Sequence, residues 1–327
     1  MRSRLLATFT TLTLVFGVVS PTLANPKGVP NENAIGYWNE ERRNNAIPRE
    51  FVFEPGAKEG KLVPQARKGG SGGGSTTSGT SYWPVAQQSA FVAQITGKVF
   101  FTMGGVQYVC SGSLVEDGRV DIAIVITAAH CVWENSTTGS FATNWSFWPN
   151  YDTDYNNREG WNAKYLFARK EFTNQTSFNT TATLNDFAFA LLENNNSRLN
   201  PAQLLPSLGS LKLGNTAYAF GYPQAAPFNG QELVFSFGTV STDRNSNNKT
   251  WRLPSSLTGG ASGGPWYGGY ANGSSVGAVA SVNSYKYTSD KNSMYGPMFN
   301  SLTNELFNSA KSADCAVTVS INCTKIP

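Results

Sequence analysis

Ser262 is the one hydroxyl in the stretch Gly-Gly-Ala-Ser-Gly-Gly-Pro-Trp, residues 259–266, set between two pairs of glycines. A serine hydroxyl is a weak nucleophile at neutral pH and acts only beside a base. Acyl transfer passes through an oxyanion, which calls for fixed N–H donors aimed at it. Glycine supplies the backbone freedom to turn N–H groups inward and lets a substrate approach closely. The stretch therefore suits a nucleophile next to an oxyanion hole. It also reads as a Gly-rich turn between two strands. A base and a carboxylate in the right order would decide for the first.

The chain has a single histidine, His130, in Ile-Thr-Ala-Ala-His-Cys. Catalytic zinc sites generally draw on two or more histidines, so metal hydrolysis is disfavoured and no metal or other cofactor is expected. Gly260 to Gly264 also fits the Gly-x-Ser-x-Gly elbow of α/β-hydrolases, but that arrangement needs a histidine after the serine, and none follows. The subtilisin order needs an aspartate before the histidine. None lies between Ser81 and Tyr108, and Asp117 and Asp121 are near enough to His130 to flank one turn. The order His, Asp, Ser remains. Its carboxylate must be Asp152, Asp154, Asp186 or Asp243. The first two and the last sit in polar, Asn-rich loops. Asp186 instead opens Asp-Phe-Ala-Phe-Ala-Leu-Leu, where a carboxylate at the mouth of an apolar strand needs a partner. His130, Asp186 and Ser262 are thus the expected base, orienter and nucleophile.

These residues need elements to position them. Arg2 and Arg4, the apolar run Leu5–Val19 and Thr-Leu-Ala ending at Ala24 read as a signal peptide, residues 1–24. Residues 25–68 read as a propeptide or a disordered extension, and 69–80 as a Gly/Ser linker. Residues 1–68 hold ten Lys/Arg against six Asp/Glu, whereas residues 69–327 hold fifteen of each. The formal charge of +4 thus lies outside the main domain, 81–327, which argues against a nucleic-acid partner. No later run would span a membrane once the signal is removed. The expected location is extracellular and the expected state monomeric. Four cysteines, Cys110, Cys131, Cys315 and Cys323, favour disulfides, the sequence-near pairs being simplest. Asn-x-Ser/Thr triplets begin at Asn135, Asn144, Asn174, Asn179, Asn195, Asn248, Asn272 and Asn322.

From Ser81 onward short strands predominate: Phe91–Ile95, Lys98–Met103, Val106–Cys110, Val120–Ile126, Ala163–Phe167, Phe187–Leu192, Thr216–Gly221, Glu232–Val240, Gly264–Trp266 and Ser275–Val282. Gly, Pro and Asn clusters separate them. Only Leu302–Ala310 looks helical. The pattern argues for an all-β fold with a short C-terminal helix.

Three segments resemble the trypsin/chymotrypsin-like serine proteases: Cys110-Ser-Gly-Ser-Leu-Val with Thr127-Ala-Ala-His-Cys131, then Asp186-Phe-Ala-Phe-Ala-Leu, then Gly260-Ala-Ser-Gly-Gly-Pro265. The resemblance implies two antiparallel six-stranded β-barrels with the site between them and a Cys110–Cys131 disulfide. It implies a catalytic His130, Asp186 and Ser262, and an oxyanion hole from the N–H groups of Gly260 and Ser262. It further implies a secreted endopeptidase acting on proteins or peptides. Ala261 departs from the family, which has an aspartate there to pair with a freed N-terminus. No Ile/Val-Val-Gly-Gly start occurs near Ser81 either. Activation by removal of residues 25 to about 68–80, with no buried ammonium, is the resulting expectation. By the resemblance, Ser256 would lie at the base of the specificity pocket and Ser281 would line the site beside Asp186. No carboxylate stands near Ser256 and no second histidine exists, so an uncharged or apolar side chain is the expected preference. A non-catalytic binding protein on this fold, or an esterase using the same triad, are the alternative functions.

Overall fold

The protein was analysed as a computed structural model, in which residues 34–63, 79–84, 87, 90–116, 123–151, 159–192, 205–271, 276–313 and 315–326 are described. The expected signal peptide, nearly all of the linker, the carboxylates Asp117, Asp121, Asp152 and Asp154, and Asn195 and Asn272 lie outside the described residues.

Strands Thr96–Met103 and Val106–Val115 form a hairpin around the Gly104-Gly105 turn. Thr96–Met103 pairs with Thr143–Pro149, which continues to Trp161–Arg169, Ala188–Leu192 and Ile124–Thr127. Ile124–Thr127 returns to Val106–Val115 and closes an antiparallel barrel of six strands. Closure removes the exposed strand edges. Val99, Val125, Phe147 and Leu166 share its inner face and are fully buried.

The second half is built from Thr216–Gly221, Val234–Thr239, Thr250–Pro254, Pro265–Gly268, Ala278–Val282 and Asp290–Pro297. Four of these pair in the order 278–282, 265–268, 216–221, 234–239. Thr250–Pro254 pairs with Asp290–Pro297 in a second sheet. The two sheets meet where Val234–Thr239 packs beside Thr250–Pro254 and Ala278–Val282 beside Asp290–Pro297. Trp266, Leu253, Val234 and Ala280 fill the space between them.

The C-terminal helix, Ser301–Ser312, begins with a capping box in which Asn300 and Thr303 satisfy each other's backbone N–H groups. Its buried residues Thr303, Leu306 and Ala310 recur at helical spacing and lie against the first barrel. Among the described residues no helix is long and apolar enough to cross a membrane.

One predicted strand is a helix. Phe91–Ile95 makes a single α-helical turn that buries Val92, Ala93 and Ile95. A five-residue apolar run carries no distinguishing period, and the barrel wall beside it decides its conformation.

Residues 34–63 are structured and lie on both halves. Trp38 is fully buried against Phe100, at 5.4 Å between ring centres, and its indole N–H donates to Asn144 O at 2.6 Å. Ile47–Pro48 adds in parallel to Tyr108 and Val109 of the first barrel. Glu50–Phe53 adds in parallel to Tyr285–Tyr287 of the second half and pairs antiparallel with Glu59–Val63. Glu59 and Gly60 in turn pair with Phe178 and Asn179. The segment thus crosses from one half to the other through the cleft between them.

Candidate active site

His130 lies on a short 3₁₀ turn that follows directly from the barrel strand Ile124–Thr127. Asp186 immediately precedes the paired strand Ala188–Leu192, so antiparallel register carries the two residues to the same barrel end. The carboxylate of Asp186 clasps the histidine twice. Its Oδ1 accepts the His130 backbone N–H at 2.8 Å, and its Oδ2 lies 2.8 Å from His130 Nδ1. Ser284 Oγ donates a further bond to Oδ2. Asp186 is wholly buried, and three donors meet the need of such a carboxylate for partners.

Ser262 lies on the loop before the strand Pro265–Gly268 of the second half. The loop is stitched to the His130 side. Cys110 is disulfide-bonded to Cys131, next to His130. The neighbour of Cys110, Ser111, donates its N–H to Ser262 O at 2.7 Å and its Oγ to Gly260 O at 2.8 Å. Gly263 has φ +79°, and a Cβ there would lie 2.6 Å from Ser111 O and 2.7 Å from Ala128 N, so only glycine allows this approach.

The same contacts account for a loop held without the family's aspartate. Ala261 is fully buried against Gly221, whose added Cβ would meet that of Ala261 at 2.9 Å. Asn283 Nδ2 donates to both Ala261 O and Phe220 O at 2.9 Å, while its Oδ1 accepts the Trp266 indole N–H. Gly259 O accepts N–H bonds from Gln224 at 2.7 Å and Ala225 at 3.1 Å. In a trans peptide the C=O and the following N–H face opposite ways, so anchoring Gly259 O directs the Gly260 N–H away from that anchor. Gly260 adopts φ +101° to do this. Among the described residues, neither the Gly260 nor the Ser262 N–H donates within the protein. Two spare donors flanking a buried serine are what an oxyanion hole requires.

Ser281 does not stand beside Asp186 as expected. Ser281 Oγ donates to Pro297 O, and the serine beside Asp186 is Ser284. The strand Ala278–Val282 ends before the chain bends through Asn283 to the site, so a serine within the strand is placed too early. Ser256 is half-buried, and its N–H donates to Thr80 Oγ1. Asp243 is buried but is held by the hydroxyls of Tyr285 and Tyr287, apart from His130. Cys315 and Cys323 form the second disulfide. Cys110, His130 and Cys131 form the one metal-ligand-like group among the described residues, and its two sulfurs are bonded to each other.

Sequence reasoning did not foresee what fills the cleft. Arg49 O lies 3.1 Å from His130 Nε2, and Arg49 Nε donates to His130 O at 2.8 Å. Phe51 stacks on Phe178 at 4.2 Å and meets the His130 ring edge-on at 5.5 Å. Gln224, whose N–H holds Gly259 O, donates its side-chain amide to Ala46 O of the segment at 2.6 Å. The buried Lys98 donates to Gln224 Oε1 and Gly230 O. Glu50 is buried against Gly259, near Lys286. The only signal available was the pairing of apolar Phe51 and Phe53 with Arg49 and Glu50 in an otherwise polar stretch.

Residues 110–277 match the family model described as a trypsin-like peptidase domain. Two solved structures show both sequence and fold similarity. The protease Anisep from Arthrobacter nicotinovorans is 34% identical, the match covering 67% of this chain and 96% of that one, with a TM-score of 0.59. The thermostable serine protease AL20 from an extremophilic microorganism is 35% identical over 68% of this chain and 99% of that one, also at 0.59. A search of curated protein sequences gave no match. With a closed first barrel, a histidine clasped by a buried aspartate, a glycine-flanked serine and these relatives, the chain belongs to the trypsin-like peptidases, serine proteases whose members act on proteins or peptides.

Proposed function

We propose that the protein is a secreted serine endopeptidase made latent by its own N-terminal segment. Ser262 Oγ attacks the carbonyl carbon of a peptide bond while His130 Nε2 takes the hydroxyl proton. The carbonyl electrons move onto oxygen, and the Gly260 and Ser262 N–H groups receive that charge. The C–N bond then breaks, and His130 gives its proton to the leaving amine. Water, deprotonated by the same base, attacks the acyl ester and releases the acid and the free hydroxyl. Asp186 keeps the proton of the neutral imidazole on Nδ1, so that Nε2 presents a lone pair.

The observation that carries this reading is the double clasp of His130 by Asp186, backbone N–H and Nδ1 on one buried carboxylate. It fixes both the orientation and the tautomer of the ring. Latency follows from Arg49. A carbonyl beside Nε2 can be bonded only by an N–H, whereas a base must offer a lone pair there. Removing residues 25 to about 68–80 would free that position. Because the Ser262 loop is already anchored, no buried ammonium is called for. The signal-like residues 1–24 and the two disulfides support secretion.

A serine-directed fluorophosphonate probe tests the reading. It should label Ser262 once the secreted chain has lost its N-terminal segment, and Ser262→Ala should abolish labelling. A processed chain that is not labelled would overturn it.

A further inference from the structure

The carboxyl group of Glu50 fills a pocket next to the reacting position. It lies against Gly259, where an added Cβ would stand 3.2 Å from Glu50 Oε2 and 3.4 Å from Glu50 Cβ. Glycine at 259 is what leaves room for the carboxylate. Gly259 directly precedes Gly260, one of the two candidate oxyanion donors. Lys286 is buried beside the same loop. Its Nζ donates to Leu257 O at 2.7 Å, and its charge acts on Glu50. Both side chains are nine-tenths or more buried. Val52, two residues after Glu50, pairs with Lys286, so the segment lies along the strand that carries this lysine.

We propose that this pocket is a subsite for an acidic side chain, that Lys286 selects Glu or Asp as the substrate residue preceding the scissile bond, and that Glu50 holds the subsite until the segment leaves. The proposal rests on the endopeptidase reading above. Its physical basis is the cost of a buried ammonium. One carbonyl bond leaves Lys286 with two further N–H donors and an uncompensated charge, and losing the partner of a buried charge costs several kcal/mol. An incoming carboxylate restores the partner, an amide or a methyl group does not, and a basic side chain meets like charge. Asp290 also acts on Lys286, but it is bonded to Arg252 and Tyr295 and so is already engaged. The uncharged preference expected from the sequence rested on Ser256 and on the missing second histidine, and neither feature signals a lysine from another strand.

Two experiments on the full-length secreted chain test the proposal. In the first, catalysis is removed by Ser262→Ala and the Glu50 carboxyl is titrated by ¹³C NMR with and without Lys286→Met. Loss of the lysine should raise the Glu50 midpoint by about one unit or more. An unmoved midpoint overturns the proposal whether or not the protein is an enzyme. In the second, cleavage of a peptide library at pH 7.5 is mapped by mass spectrometry. The Glu-over-Gln ratio of kcat/KM should be about tenfold or more, fall towards one in Lys286→Met and be kept in Lys286→Arg. Glu cleaved no better than Gln, or a ratio unchanged in Lys286→Met, overturns the proposal. Absence of all cleavage after processing bears instead on the endopeptidase reading, and the titration still decides the pocket.

Discussion

The backbone carbonyl of Arg49 stands 3.1 Å from Nε2 of His130, and the Arg49 guanidinium returns a bond to the carbonyl of the same histidine. The reciprocal pair covers the ring nitrogen that faces away from Asp186. Its hold depends on packing nearby, because Arg49 itself is buried against the Tyr108 ring at 5.0 Å, and burial lowers its pKa.

Phe51 is the apolar anchor of this seal, stacked on Phe178 and edge-on to His130. Truncating a buried phenylalanine costs on the order of 3 kcal/mol. Phe51→Ala in the full-length chain should therefore raise the fluorophosphonate labelling rate of Ser262 by about a hundredfold. An unchanged rate would show that the segment does not limit access.

Asp186 and Ser284 should differ in weight. Asp186→Asn keeps the shape but disturbs the tautomer, and kcat should fall by roughly 10³–10⁴-fold with the circular dichroism spectrum unchanged. Ser284→Ala removes one of three donors to a carboxylate that keeps the other two, so a loss of about tenfold is expected. Steady-state kinetics of the processed enzyme separates them.

Docking of the segment should depend on pH through the Glu50–Lys286 pair. Burial pushes Glu50 up to about 7 and Lys286 down to about 8, against ordinary values of 4.5 and 10.5. The docked state thus binds the Glu50 proton more tightly than the free segment does. That contribution is full below 4.5 and is lost as pH rises through about 7. The segment should therefore be held less firmly as pH rises through about 7. Hydrogen exchange of residues 47–53 in Ser262→Ala, corrected for intrinsic rates, should show protection falling from pH 5 to 8. A monotonic rise in protection from pH 5 to 8 would contradict this assignment of the pair.

The Ser262 loop should reject the family's aspartate. Ala261→Asp places a carboxylate against Gly221 in a fully buried position, and an unpaired buried charge costs several kcal/mol. Asn283→Leu should cost about 2–4 kcal/mol, since two carbonyls and an indole N–H lose their partner. Both should appear as lowered thermal midpoints. A more active Ala261→Asp enzyme would mean that the loop does use a buried ammonium.

His130, Asp186 and Ser262 could be named from the sequence as candidates because acyl transfer restricts residue types and order and a single histidine leaves one base, and the structure brings His130 and Asp186 together. The all-β character and the C-terminal helix were readable because period-two and helical patterns are local. The sequence likewise marked Ala261 as a departure. What holds the loop instead was not readable: Asn283, Ser111 and Gln224 act through backbone groups distant in sequence, and such bonds leave no periodic trace. Ser284 was displaced from the expected Ser281 for the same reason, since only the bend after the strand decides which serine reaches Asp186. The conformation of Phe91–Ile95 was left to the barrel wall against which it packs. Above all, beyond the apolar Phe51 and Phe53, the composition of residues 34–63 carried no sign of their destination. A short polar stretch gains order by adding strands to edges and aromatic rings to cavities that exist only once two separate halves have folded.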